Sequence, residues 1–192
     1  VDTSASQVNR FRDKSLEAVE FFLSSLGPND RVQLAAVDLN FIPLTKTFVA
    51  AQGPEVTQAL AELRARTPLA TTDMAAMLRA TAEAFATDAA PGRARAAAYI
   101  GDGMSAGNLL ASGEMQALVD ALVAKRIAIS SFAVGPRLDL QLLGVTANHT
   151  GGLLIVDQDD PNGTTINGKQ AGSLLAQAAT GAVVWPTKAA FP

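Results

Sequence analysis

Short apolar stretches alternate with amphipathic ones along nearly the whole chain, and this alternation restricts the fold more than any other feature. Val8, Phe11, Ser15, Val19, Phe22 and Leu26 recur at three- and four-residue spacing and end at Gly27-Pro28, which predicts a helix over 8–26. The stretch 32–37 reads as a strand, with 41–45 as its hairpin partner. Pro43 has no N–H for a ladder, so the second of these belongs at a sheet edge. Helices are expected over 55–65 and 73–86, the latter with Met74 and Met77 on its core face. The run 94–100, apolar apart from Arg95, predicts a strand buried on both faces. A helix over 113–124, a strand over 127–134, a helix over 138–147 and a strand over 153–156 continue the pattern. A polar loop over 157–168 and a helix over 172–179 follow. Strands separated by helices predict an α/β fold: a doubly wound, mostly parallel central sheet with an antiparallel edge strand and helices on both faces.

The 192 residues suffice for one domain with a sizeable core, placed at 1–181, with 182–192 as a C-terminal extension. One element is short: the chain opens Val1-Asp2-Thr3-Ser4, leaving no residues for the strand expected before the first helix. The expectation is a domain excised from a larger multidomain protein, with Ala182–Trp185 in the open sheet position as the alternative. The 15 basic and 18 acidic residues leave a net charge of -3 with no basic stripe, so nucleic acid is not an expected partner. No apolar run reaches the roughly 18–20 residues of a membrane span, so membrane insertion is not expected either. The absence of cysteine excludes a disulfide framework, a thiolate zinc site and a cysteine nucleophile.

In doubly wound sheets ligands gather where loops leave the carboxyl ends of strands. Three such loops carry oxygen donors: Asp2-Thr3-Ser4-Ala5-Ser6, Thr71-Thr72-Asp73, and Gly101-Asp102-Gly103 directly after the apolar run. These motifs resemble the metal-ion-dependent adhesion site of the von Willebrand factor A domain, the family that includes integrin inserted domains. Its Asp-x-Ser-x-Ser stands here as Asp2, Ser4 and Ser6, its threonine matches Thr72 before Asp73, and its strand-end Asp-Gly matches Asp102-Gly103. The resemblance covers residues 1–157, with Ala5 and Ala70-Thr71 as departures where glycines are usual. It implies that Ser4, Ser6 and Thr72 coordinate a divalent cation, with Asp2 and Asp102 binding directly or through water. The donor chemistry agrees: oxygen ligands without histidine or thiolate favour Mg²⁺, with Mn²⁺ or Ca²⁺ as alternatives. The expected function is non-enzymatic, a module whose ion accepts an Asp or Glu from a protein partner. Loops 3–7, 39–41, 69–73 and 102–108 would surround that contact. A metal-assisted hydrolase and a scaffold with a non-functional site are the rivals, and a cell-envelope or secreted setting is preferred.

Each residue also has a plainer reading. Asp2, Ser4 and Ser6 would cap the first helix, and Asp73 would cap its own. Gly101-x-Gly103 before a helix mimics a dinucleotide loop, but Asp102 inside it would repel a pyrophosphate. His149, the single histidine, reads as structural or exposed, and Met104 as packed under its loop or exposed on a rim. Asp157, Asp159 and Asp160 read as solvated loop charge.

Overall fold

The protein is described here from a computed structural model covering residues 1–87, 92–157, 166–181, 183 and 185. Its sheet is assembled around the first three residues. On one side Val1 N donates to Ala35 O at 2.9 Å, Val37 N to Val1 O at 2.8 Å and Thr3 N to Val37 O at 2.8 Å. On the other, Asp2 N donates to Ile100 O at 2.8 Å. Val1–Thr3 thus join two half-sheets, with Asp2 bridging Val37 in parallel. The first half holds β1 (Arg31–Val32), β2 (Ala35–Val37), β3 (Phe41–Pro43) and β4 (Val49–Ala50), and the second β5 (Arg95–Gly101), β6 (Ile127–Ala133) and β7 (Leu154–Val156). The order is β3, β2, residues 1–3, β5, β6, β7, with β2–β3 antiparallel and β5–β6–β7 parallel. Pro43 sits on the edge strand, in register with Ala35.

The expected strand over 32–37 is divided. Arg31–Val32 pair with β4, whereas Ala35–Val37 pair with β3. Between them Leu34 N donates to Thr45 Oγ1 at 3.0 Å and Gln33 Nε2 to Thr45 O at 3.2 Å, so the chain turns from one partner to the other. The strand expected to precede the first helix is represented by Val1–Thr3. Below Val1, β1–β2 and β5 part around a groove of about 330 Å³, lined by Val32, Leu34, Ala96 and Ala98 among others. The groove explains why β5 is only half-buried over 95–98 and fully buried from Tyr99 onward, a correction to the expected burial on both faces. Of Ala182–Trp185, Val183 and Trp185 lie outside any strand; Ala182 and Val184 are outside the described residues, as are 186–192.

The helices are α1 (Arg10–Ser24), α2 (Pro54–Ala65), α3 (Met74–Thr87), α4 (Ser112–Ala124), α5 (Leu140–Thr150) and α6 (Gly168–Thr180). Alternating side chains divide the core between the two faces of the sheet. Ile100, Phe132 and Val134 pack with Ala18 and Val19 of α1, Leu63 of α2 and Leu175 of α6. Tyr99, Ile127 and Ile129 pack on the other face with Met74 and Leu78 of α3, Leu122 of α4 and Leu143 of α5. Each fully buried side chain of this size contributes roughly 1.5–3 kcal/mol. Met74 and Met77 are core residues, as expected. Helix α6 begins four residues before the expected 172, because Asn167 and Gln170 form a reciprocal capping box. The residues 158–165 of the expected polar loop lie outside the described residues. Among the described residues no helix is long and apolar enough to cross a membrane.

Helices α1 and α6 touch at backbone distance. A Cβ placed on Gly172 would lie 2.3 Å from Ala18 O and 2.8 Å from Phe22 N. Gly172→Val is expected to destabilise the domain by about 2–3 kcal/mol, through forced separation of the two helices. Thermal unfolding would register this as a melting point lower by roughly 4–12 °C. A change within about 0.5 kcal/mol would show that the helices part freely.

Candidate metal centre

The corner above Val1–Thr3 collects the three oxygen-bearing loops. Asp2 leaves the sheet with its carboxylate turned back on its own chain, Oδ1 accepting from Ser4 N at 2.8 Å. Such a side-chain-to-backbone bond sets an Asx-type turn. Gln7 anchors the far end of this loop: its Nε2 donates to Val134 O at 2.9 Å, and its Oε1 accepts from Ser15 Oγ at 3.1 Å. The second loop lies on the first through Leu69 N to Thr3 O (3.0 Å) and Ala5 N to Ala70 O (2.9 Å). Ala70 adopts φ 64°, doing without glycine what the family's usual Gly-Gly would ease. Asp38 ties the same loop down. Its backbone O accepts from Asp73 N at 2.9 Å, and its Oδ2 pairs with Arg66 at 2.6 Å, while Arg66 Nε also donates to Thr3 Oγ1. The third loop is held by Val134 N to Gly101 O (3.0 Å) and Asp139 N to Asp102 O (2.9 Å).

These supports bring all five sequence-selected residues into two hydrogen-bonded groups. Thr72 Oγ1 donates to Asp2 Oδ1 at 3.1 Å, and Tyr99 OH donates to Asp2 Oδ2 at 3.0 Å. Ser4 Oγ and Ser6 Oγ are 2.9 Å apart, and Ser6 Oγ donates to Asp102 Oδ2 at 2.5 Å. Met104 N donates to Asp102 Oδ1 at 2.9 Å. Asp2 and Asp102 are 0% and 2% exposed, and among the described residues neither forms a salt bridge. Burial pushes the Asp102 carboxyl above the ordinary carboxylate range; the Ser6 hydroxyl and Met104 N–H oppose this, and the Asp2 charge adds to it. Burial, reinforced by the Asp2 charge, pushes the Tyr99 phenol well above its ordinary value, so it stays a proton donor. Among the described residues no three His, Cys, Asp or Glu side chains cluster as a metal site. A cation here would therefore depend on hydroxyl oxygens beside two carboxylates, a donor set suited to a hard divalent ion.

The plainer readings divide. Asp2, Ser4 and Ser6 do not cap the first helix: its N-cap is Asn9, which makes no side-chain capping bond. Asp73 does cap, its Oδ1 accepting from Ala76 N at 2.9 Å. Thr71 is exposed whereas Thr72 is buried against Asp2. His149 is exposed in the last turn of α5. Met104 is 37% exposed rather than packed beneath its loop, and Leu39 and Leu69 are exposed on neighbouring loops. Asp157 is not a solvated charge: Lys14 Nζ meets both its carboxylate oxygens, at 2.7 and 2.9 Å. Asp159 and Asp160 lie outside the described residues. Sequence reasoning missed Tyr99, Gln7 and the Arg66–Asp38 pair. A signal existed for the first, since Tyr99 is the one polar-tipped side chain in Ala-Ala-Ala-Tyr-Ile.

Comparison with known proteins places this geometry. A family model for the von Willebrand factor type A domain matches residues 1–155. The chain belongs to that family. No curated protein matches it. Among solved structures, a von Willebrand factor type A protein from Catenulispora acidiphila is similar with a TM-score of 0.72 at 15% identity, over 82% of this chain. The match spans only 37% of that longer chain. An aerotolerance-related membrane protein from Bacteroides fragilis has a TM-score of 0.72 at 14% identity, over 93% of this chain and 94% of its own. The manganese-loaded TRAP protein of Plasmodium vivax has a TM-score of 0.68 at 15% identity, over 91% and 68%. At such identities the likeness establishes the fold. Domains of this family are generally interaction modules.

The von Willebrand factor A fold here leaves no slack behind Asp102. Gly135 has φ 155°, and a Cβ on it would lie 2.6 Å from Asp102 Cβ. Gly135→Ala is therefore expected to cost about 1–3 kcal/mol, from backbone strain and displacement of the carboxylate. Chemical denaturation would measure it; an unchanged midpoint would show that the Asp102 loop yields without cost.

Proposed function

We propose that this domain is a divalent-cation-dependent protein-binding module. Asp2, Ser4, Ser6, Thr72 and Asp102 hold Mg²⁺, with Mn²⁺ or Ca²⁺ as alternatives, and a partner supplies an Asp or Glu carboxylate. The observation that carries this reading is the convergence of two buried carboxylates and three hydroxyls from three separate loops, with no protein cation paired to either acid among the described residues. Two carboxylates balance a doubly charged ion, and the hydroxyls add oxygen donors without adding charge. A carboxylate only accepts, so the Ser6 and Thr72 protons point at Asp102 and Asp2; Ser4 then donates to Ser6, and each of these two hydroxyl oxygens keeps at least one lone pair for a cation. When bound, the ion would supply an electrophilic point for an acidic group. The exposed Leu39, Leu69 and Met104 supply apolar surface on the neighbouring loops. The manganese in the Plasmodium vivax neighbour supports the choice of a divalent ion. The greater length of the Catenulispora chain and the membrane character of the Bacteroides neighbour support a place in a multidomain protein at the cell envelope or outside it.

Calorimetric titration with Mn²⁺ and Mg²⁺ is expected to give saturable heat at one site and a raised melting temperature. Asp102→Ala should remove both while remaining folded, and Thr72→Val should weaken binding by tenfold or more. Wild-type protein giving neither heat nor thermal shift would reduce the domain to a scaffold. The acid-accepting half of the proposal has its own readout. With Mn²⁺ bound, acetate should lower the water-proton relaxation caused by the ion, and relaxation indifferent to acetate would exclude an open coordination position.

A further inference from the structure

Tyr99 is the least expected group at this corner. It occupies the fifth position of β5, 3% exposed, where its ring packs in the core beneath the sheet's carboxyl end. Its hydroxyl reaches past its own strand to do two things. It donates to Asp2 Oδ2 at 3.0 Å, and it accepts from Gly103 N at 3.2 Å. The loop that carries Asp102 and the loop that carries Asp2 are thus pinned to one oxygen atom. Room for that oxygen comes from the missing side chain at position 101. A Cβ on Gly101 would lie 2.6 Å from Tyr99 OH, 2.3 Å from Asp2 Cβ and 2.8 Å from Asp2 Oδ2. Tyr99 and Gly101 share one face of β5, so the glycine gives up its volume to the phenol two residues before it.

The consequence concerns the Asp2 carboxylate. Its Oδ1 takes the Ser4 N–H and the Thr72 hydroxyl, whereas its Oδ2 has Tyr99 as side-chain donor. Without that bond the carboxylate would be held through Oδ1 alone, and Oδ2 would lack the side-chain donor that fixes the carboxylate plane from its other end. A neutral phenol holds Oδ2 without cancelling the charge, as an arginine would. Resting on the cation site proposed above, we infer that Tyr99 is a positioning residue for it: the phenol hydroxyl, admitted by Gly101, orients Asp2 for the ion and links both acidic loops. Groups that orient ligands from behind in this way are typically worth 10–100-fold in metal affinity.

Tyr99 is the single tyrosine of the chain, which makes its role observable directly. Mn²⁺ is the probe. In wild-type protein its addition should perturb the near-ultraviolet tyrosine absorption, saturating with the midpoint of the calorimetric isotherm. Tyr99→Phe, which keeps the ring and removes only the oxygen, should weaken Mn²⁺ binding by 10–100-fold. Wild-type binding with a silent tyrosine spectrum and equal affinity in Tyr99→Phe would overturn the inference and leave the cation site standing. Wild-type protein that binds no Mn²⁺ would overturn both. Should Tyr99→Phe fail to fold, the wild-type difference spectrum decides alone: a co-saturating change supports the role, and its absence refutes it.

Discussion

Four backbone hydrogen bonds from Val1–Thr3, three to β2 and one to β5, hold the halves of this sheet together at its carboxyl end. Everything at the candidate site follows from that seam. It places Asp2 between the two half-sheets, so its carboxylate emerges where β5 delivers Asp102 and where the 69–73 loop folds across the top. Below the seam β1–β2 and β5 flank the apolar groove. The upper end is dense with hydrogen bonds, and the lower end is lined by the alanines of β5 on one side and by larger apolar side chains such as Phe22, Leu34, Phe48 and Phe85 on the other.

The polar corner shows how buried acids are tolerated. Taking a carboxylate out of water is costly unless its oxygens are supplied with donors. Asp2 meets three such donors from three stretches of chain, whereas Asp102 meets one hydroxyl and one amide. At Asp102 burial outweighs the bonds that stabilise its charge and pushes the carboxyl upward. Under the proposed function, a doubly charged ion would relieve both acids together.

Much of this was readable from residue order, and the gaps have physical causes. The apolar run ending in Gly101-Asp102-Gly103 announced a strand delivering an acid to a loop, and the fold brings the side chains of Asp2, Ser4, Ser6 and Thr72 to the same corner. The division of the first hairpin between β3 and β4 was not legible, because Arg31–Val32 and Ala35–Val37 differ in their partners and not in their pattern. Gln7 and Arg66 were invisible for a similar reason: their importance lies in which carbonyls and carboxylates they reach across the fold. Asp157 looked like part of an acidic loop until Lys14, distant in sequence, proved to be its partner. The helix at 168 was anticipated late because its start is written in the Asn167–Gln170 cap rather than in hydrophobic periodicity.

The packing behind the two acids carries an evolutionary consequence. Added atoms at Gly101 or Gly135 would meet Asp2, Tyr99 or Asp102 at less than 3 Å, so the inward side of the corner has no volume to trade. Leu39, Leu69 and Met104 are exposed on the surrounding loops. Under the proposed function, change on this frame would fall on the outer lip while the floor stayed fixed, letting the choice of partner alter without rebuilding the grip.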